Sequence, residues 1–465
     1  MSERQFKPVL GLWDGTMLVA GSMIGSGIFI VSADILRNVG SAGWLIAVWV
    51  ITGFMTVTAA VSYGELSGMY PRAGGQYVYL QEAYGKLVAF LYGWSFFAVI
   101  QTGTIAAVGV AFSKFTAYLI PEVSEDLVLL DLEFMKVSPA QVLAIATIVL
   151  LTYVNTRGVR EGKIVQSTFT VTKILSLLGL TLFGFIFMDG DVWNMNWSGD
   201  QTLHSLREGA ESYTLVAALG AIAAAMVGSI FSSDAWNSAT FIAGEMRNPQ
   251  RNIGLSLFLG TAMVCGLYVV TNLMYTAVLP VEEIAFAEND RVAVAASQVI
   301  FGPVGTIIIA LMIMVSTFGC NNGLILSGAR VSFTMARDGL FFRRAGMLNK
   351  ASVPASALWY QCALASIWCV TGTYGELLDM IGFVVVMFYV LTIIGIFVLR
   401  KTKPDHPRPY KAFGYPVLPI VYIVMGISFC LLLIIYKPGF TWPGLIITLA
   451  GIPVYYWTNR RRDRS

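Results

Sequence analysis

The sequence predicts an all-α integral membrane protein with twelve transmembrane helices, of which the first and sixth are discontinuous. Three observations carry this reading. Of the 465 residues, 56% are hydrophobic and 12% charged, and the mean hydropathy is +0.71, far from an ordinary globular chain. Apolar stretches of about 20 residues, the length that crosses a hydrocarbon core of about 30 Å, recur twelve times along the chain. Two of these stretches are broken by glycine or polar residues at a depth where a helix should run uninterrupted.

The spans fall near 12–36, 42–67, 88–119, 139–155, 164–187, 211–242, 254–279, 303–329, 354–371, 379–399, 416–435 and 443–458. The first apolar run begins after Pro8 and exceeds the length of a signal-peptide core, so it is expected to stay as a span. Orientation follows from basic residues, which are enriched in cytoplasmic loops. With the N-terminus inside, the inner segments hold 23 of the 30 lysines and arginines, among them Arg4, Lys7, Arg157, Arg160, Lys163, Arg330, Lys403 and Arg460–Arg462. Arg37, Lys136, Arg207, Arg291 and Lys437 lie outside. Both termini are therefore expected in the cytoplasm, with the protein in the plasma or inner membrane. The net charge of +3 reflects this topology and gives no support to nucleic-acid binding; the basic tail reads as a stop-transfer flank in contact with lipid headgroups.

The five cysteines all fall within apolar spans and read as small packing residues. His204 and His406 fall in loops on opposite sides, which leaves no histidine-based catalytic or metal cluster within the bilayer. An enzyme is not expected, nor a metal or cofactor.

In the first span the run Ser22-Met-Ile-Gly-Ser-Gly-Ile-Phe29 is built from weak helix formers. A break at mid-membrane survives only where it is buried in protein or lines a polar cavity, so broken helices mark candidate binding sites. The sixth span carries Ser229-Ile-Phe-Ser-Ser-Asp-Ala-Trp-Asn237, with a carboxylate at depth, which is costly unless it faces a cavity or a partner. Five spans separate the two breaks, as two inverted five-helix repeats would require.

Three stretches in this order, Gly25-Ser-Gly-Ile-Phe29, Tyr63-Gly-Glu-Leu-Ser67 with Tyr70-Pro-Arg-Ala-Gly-Gly-Gln-Tyr77, and Phe231–Asn237 running into Glu245-Met-Arg-Asn-Pro-Gln-Arg-Asn252, carry a resemblance. Over essentially its whole length the chain resembles the amino acid–polyamine–organocation transporters, and among them the L-type amino-acid transporter family, in a bacterial form without a heavy chain. The resemblance implies a LeuT-like 5+5 inverted repeat: residues 1–190 would form the first repeat, 205–400 the second, and 401–465 two further helices and the tail.

It also implies roles for residues. Backbone amides at Gly25–Gly27, with the Ser26 hydroxyl, would hold a substrate carboxylate; Ser22 would line the opposite wall, beside Ile24. Free carbonyls at Phe231, Ser232 and Asp234 would receive the ammonium group. Gly21, Gly25 and Gly27 equally suit close helix packing. Phe231 resembles the family's aromatic gate, and Trp236 and Asn237 extend its signature toward the inner pathway. Lys173 lies ten residues into the fifth span from Lys163, about 15 Å at about 1.5 Å per residue, too deep to snorkel out easily. The resemblance places its ammonium in the region of the sodium site of sodium-coupled relatives. There it would replace sodium, or simply staple two helices through carbonyls. Asp234 would attract the substrate amine, pair with Lys173, or carry a proton. Gln101 and Asn322 would supply specificity or bridge helices. No cysteine occurs between Pro121 and Pro139, where heteromeric animal members bear one, so no disulfide-linked heavy chain is expected.

The function expected is a sodium-independent secondary transporter that exchanges or moves small neutral L-amino acids by alternating access. A proton-coupled transporter of cationic amino acids or polyamines, served by Asp234, is the alternative. A transporter-like amino-acid sensor ranks last, because no inner segment is long enough for an output domain.

Overall fold

The computed structural model describes residues 8–132, 135–207, 213–371 and 374–462. Arg4, Lys7 and Arg464, and the first two positions of the expected sixth span, lie outside the described residues. Ten helices among the described residues are long and apolar enough to cross a membrane. Two more helices, Ala355–Thr371 and Pro438–Arg462, stand where the ninth and twelfth spans were expected but fall outside that set of ten. The helical stretches are called segments below, in chain order.

The first segment comprises Leu12–Met23, then Gly27–Ile30 continued by Ser32–Val39. Ala42–Met69, Lys86–Leu119, Pro139–Arg157 and Val159–Ile186 are the second to fifth. The sixth is again divided, into Leu215–Ser232 and Ser238–Phe241. Pro249–Val278, Val292–Arg337, Ala355–Thr371, Tyr374–Thr402, Val417–Tyr436 and Pro438–Arg462 complete the series. Both interruptions thus fall where the sequence places them.

Local chemistry explains many of the ends. Ser138 caps the fourth segment, its hydroxyl accepting from Gln141 N–H while the Gln141 side chain accepts from the Ser138 amide, a reciprocal capping box. Asn248 sits in the left-handed region and Pro249 opens the seventh segment, where its missing N–H costs nothing. Gly40, at φ 77°, ends the first segment. Its absent Cβ leaves room for the His204 ring and carbonyl.

The eighth segment is longer than the expected 303–329. A kink at Gly302, φ 66°, joins an outer piece to it, and its inner end runs to Arg337. Arg330, expected in an inner loop, is instead fully buried in this helix; it donates to the Glu245 carboxylate at 3.1 Å and to the Leu326 carbonyl. The third segment holds a π-helical turn at Phe96–Ile100, just before Gln101. Short α-helices among the described residues escaped the sequence reading: Gln76–Tyr84, between the second and third segments, Gly190–Ser198, after the fifth, and Val281–Ala285, after the seventh.

In the fifth segment Leu175, Leu178, Leu182 and Ile186 form an exposed apolar stripe, while Thr170, Lys173, Leu177 and Leu180 are buried. The spacing is helical, with the apolar stripe turned to lipid and the lysine to the bundle interior.

The linkers gather at two ends. The end carrying the N-terminus holds the 70–85, 338–354 and 403–416 linkers. There the buried Glu65 carboxylate accepts from Arg400 at 2.9 and 2.6 Å and from the Ala412 amide at 2.8 Å, and it forms an ion pair with Arg408 at 3.4 Å. At the same end burial would raise the Glu82 carboxyl, but Lys403 and Arg72 outweigh it and hold the group below its ordinary value. His406 stacks on Tyr70 at this end, and His204 lies at the other, against Gly40. At that other end Arg37 binds Asp290 at 2.6 Å.

Candidate functional site

A helix that stops leaves its last four carbonyls without intrahelical partners, and within a bilayer no water replaces them. At the end of Leu12–Met23 every one of these four is met by a side chain. Lys173 donates to Gly21, and to Ile24 at 2.8 Å. Cys320 donates to Ser22 at 3.0 Å and the Tyr268 hydroxyl to Met23 at 2.9 Å. Ser316 adds a second bond to Ile24 at 3.3 Å, and its own carbonyl accepts from Lys173 at 3.3 Å. The fifth, seventh and eighth segments therefore close the broken end together.

Beyond Ile24 the chain turns through Gly25 and Ser26 and re-enters helix at Gly27. All of Ser22–Gly27 is buried. A Cβ on Gly27 would lie 1.9 Å from Ser232 Oγ, and one on Gly25 3.0 Å from Cys320 Sγ, so both glycines are also sites of close approach. The Ser22 hydroxyl is buried and has no hydrogen-bond partner among the described residues, which in a native interior calls for a ligand or ordered water.

The sixth segment stops at Ser232. Ser233 and Asp234 turn back on the carbonyls of Ser229 and Phe231, Ala235 takes a left-handed conformation at φ 61°, and helix resumes at Ser238. The carbonyls expected to be free are in part occupied. Phe231 accepts from the Asp234 amide at 3.1 Å and Ser232 from the Tyr268 hydroxyl at 3.2 Å. The turn must satisfy its own backbone in a dry interior. The Ser232 carbonyl keeps a second lone pair for a ligand.

Asp234 does not pair with Lys173. Its carboxylate accepts from the Tyr389 hydroxyl at 2.5 Å. Beside it lies a small cavity lined by Gln76, Tyr92, Gln101, Asp234, Asn237 and Tyr389. Its free space of about 20 Å³ admits a water but no amino acid. Asn237 donates to Gln76 at 3.2 Å and Gln101 to the Leu324 carbonyl at 2.6 Å. Phe231 is packed in the core, and Trp236 meets Tyr63 edge-to-face at 4.8 Å and Tyr389 at a tilt at 5.1 Å. Asn322 is not among the residues lining the cavity; it accepts from Asn155 at 2.8 Å, bridging the fourth and eighth segments.

Residues 10–456 match the family model described as amino acid permease. The chain belongs to this family, and with it to the amino acid–polyamine–organocation superfamily. It is similar to the human large neutral amino acids transporter small subunit 2, at 31% identity over 98% of this chain and 82% of that protein. The human b(0,+)-type amino acid transporter 1 is 28% identical over 96% of this chain and 87% of its own length. The serine/threonine exchanger SteT of Bacillus subtilis (strain 168) is 28% identical over 98% of both chains. The permease is thus an amino-acid transporter and a multi-pass membrane protein, not an enzyme.

Several residues of this permease's site escaped the sequence reading. Tyr268 touches both breaks, and Tyr389, Gln76 and Ser316 act on residues that were singled out. Tyrosine and serine in apolar spans carry no signal of their own. Cys320, read as packing, is a donor to the broken helix.

Proposed function

We propose that this permease moves small neutral L-amino acids without sodium, exchanging one for another by alternating access. One observation supports the sodium independence above all: every carbonyl at the end of the first half-helix already has a protein donor, and a fixed ammonium, Lys173, supplies two of the bonds. A cation arriving there would have to displace it.

In this reading the amides of Gly25–Gly27 and the Ser26 hydroxyl hold the substrate carboxylate at the start of the outer half-helix. The Ser22 hydroxyl, buried without a partner among the described residues, faces the bound molecule beside Ile24. The carbonyls of Phe231 and Ser232, with Asp234, receive the ammonium. Phe231 covers the site, Trp236 and Asn237 line the way to the N-terminal end, and Gln101 tunes the side-chain pocket; Asn322 serves the scaffold. The twelve helices form a LeuT-like pair of inverted five-helix repeats, residues 1–190 and 205–400, followed by two helices within 401–465. Both termini are cytoplasmic, on the basic face. The absence of cysteine between Pro121 and Pro139 supports a chain that works without a disulfide-linked heavy partner.

A second reading has its own support. Asp234 is held by a tyrosine and not by Lys173, so its carboxylate is available to a proton or to a cationic side chain. Proton-coupled movement of cationic amino acids would use it in this way. Purified protein in liposomes loaded with unlabelled amino acids, tested for uptake of labelled alanine, leucine and arginine, separates the two. Uptake that needs internal amino acid and ignores sodium supports exchange. Uptake into empty vesicles that rises with an inward proton gradient overturns it in favour of proton coupling.

A further inference from the structure

A pocket at the N-terminal end has the room for an amino acid that the cavity beside Asp234 lacks. Its free space is about 380 Å³, inside the range of roughly 300–1,000 Å³ in which small-molecule sites fall. Arg72, Arg337 and Asp338 line it with charge of both signs, and Val78, Phe333 and Leu348 with apolar surface. The charges are held from behind. Asp338 follows the last helical residue of the eighth segment and accepts from Tyr77 at 2.9 Å and Gln81 at 3.1 Å, both on the short helix Gln76–Tyr84. Arg72 donates to Glu82 of the same helix at 2.6 Å, and Glu82 also accepts from Lys403. A guanidinium offers a planar fork to a carboxylate, a carboxylate attracts an ammonium, and the apolar wall suits a side chain. Together these are the parts of a zwitterionic amino acid; an inorganic anion would be repelled by Asp338.

One thickness of chain separates this pocket from the central cavity. Ala73 lines the pocket, and its carbonyl accepts from the Thr334 hydroxyl at 3.2 Å. The next amide, that of Gly74, donates to the Phe241 carbonyl at 3.2 Å, and Phe241 lines the cavity. Gly75, at φ 45°, lets the turn come this close, because a Cβ there would lie 2.1 Å from Thr240 Oγ1. The Gln76–Tyr84 helix reaches both spaces, with Gln76 on the cavity and Gln81 on the pocket.

We infer that this pocket is a second amino-acid site, in which Arg72 and Arg337 hold the carboxylate, Asp338 the ammonium, and Phe333, Val78 and Leu348 the side chain. Its occupant is the exchange partner, waiting one layer of chain away until the central site opens at this end. The inference deepens the exchange reading and rests on it.

The test uses purified full-length Leu348→Cys, whose new thiol is labelled with a water-soluble maleimide. Leucine is expected to slow the labelling several-fold. Leucine methyl ester, which lacks the carboxylate, and 4-methylpentanoate, which lacks the amine, should leave it unchanged. Asp338→Asn in the same chain keeps an acceptor for Tyr77 and Gln81 but removes the charge, and should abolish the protection. In proteoliposomes Asp338→Asn should raise the half-saturating leucine concentration several-fold at the N-terminal face and leave that of the other face unchanged, a split that a merely structural role would not give. Labelling that ignores leucine, protection that survives Asp338→Asn, or an equal change at both faces overturns the site. Protection by phosphate as strong as that by leucine overturns the amino-acid assignment in favour of an anion site. Protection by leucine in a protein that shows no uptake overturns the transport reading and leaves the site standing.

Discussion

The Lys173 ammonium lies 2.8 Å from the carbonyl oxygen of Ile24 and also donates to Gly21, one turn earlier. A side chain of the fifth segment thereby finishes the helix that the first segment leaves open. Replacing it with methionine keeps much of the volume and removes the donor, at a cost of about 1–3 kcal/mol for each buried carbonyl left unsatisfied. Uptake by Lys173→Met is expected to fall by tenfold or more, by about that arithmetic. Loss alone does not separate a staple from a sodium surrogate. In Lys173→Ala the vacated space and freed carbonyls suit a hard monovalent cation, so sodium should partly restore uptake. Uptake rates with and without sodium check this; a variant indifferent to sodium makes Lys173 a staple only.

Gly27 and Ser232 bring the two broken helices together. A Cβ at Gly27 would sit 1.9 Å from Ser232 Oγ and 2.6 Å from its Cβ, closer than atoms can approach. Gly27→Ala should therefore abolish uptake while the protein still reaches the membrane, and Ser232→Gly in the same chain should restore part of it. Uptake by the single and double variants reads this directly.

Tyr389 and Asp234 form the contact between the tenth segment and the sixth break. A hydrogen bond to a charged acceptor contributes about 1.5–3 kcal/mol. Tyr389→Phe and Asp234→Asn should each impair uptake, and a double-mutant cycle should give a coupling energy of about 0.5–3 kcal/mol. Additive effects would show the contact to be without functional weight.

Arg330 and Glu245 form a buried pair, with side chains 0% and 3% exposed. Removing one partner of such a pair strands the other charge and costs about 3–5 kcal/mol. Glu245→Ala is expected to lower the thermal midpoint of the purified protein by several degrees. Loss of both charges in Glu245→Leu/Arg330→Met should cost less than Glu245→Ala alone. Thermal unfolding followed by fluorescence distinguishes them.

Much of the architecture was legible because membrane spans are written in composition. Twenty apolar residues have few other uses, and glycine or aspartate within them marks a break, so both interruptions were readable to within a few residues. Lys173 stood out because a buried cation is expensive at that depth. What the sequence hides is partnership. Nothing in the tenth span says that Tyr389 reaches Asp234, and only packing shows that the carboxylate meets this tyrosine and not Lys173. The same holds for Tyr268, which serves both breaks from a helix with no local signal. Arg330 was misplaced because charge counting treats an arginine near a span end as loop. Its carboxylate partner lies 85 residues away, and only that partner makes burial affordable.

The central claim is that a fixed lysine does the work of a sodium ion at the first break. Its most direct test is the initial rate of labelled alanine uptake into proteoliposomes preloaded with alanine, with external and internal sodium replaced throughout by choline. The account predicts an unchanged rate and no saturable dependence when sodium is returned. A rate that collapses in choline and recovers along a saturable sodium curve would contradict it.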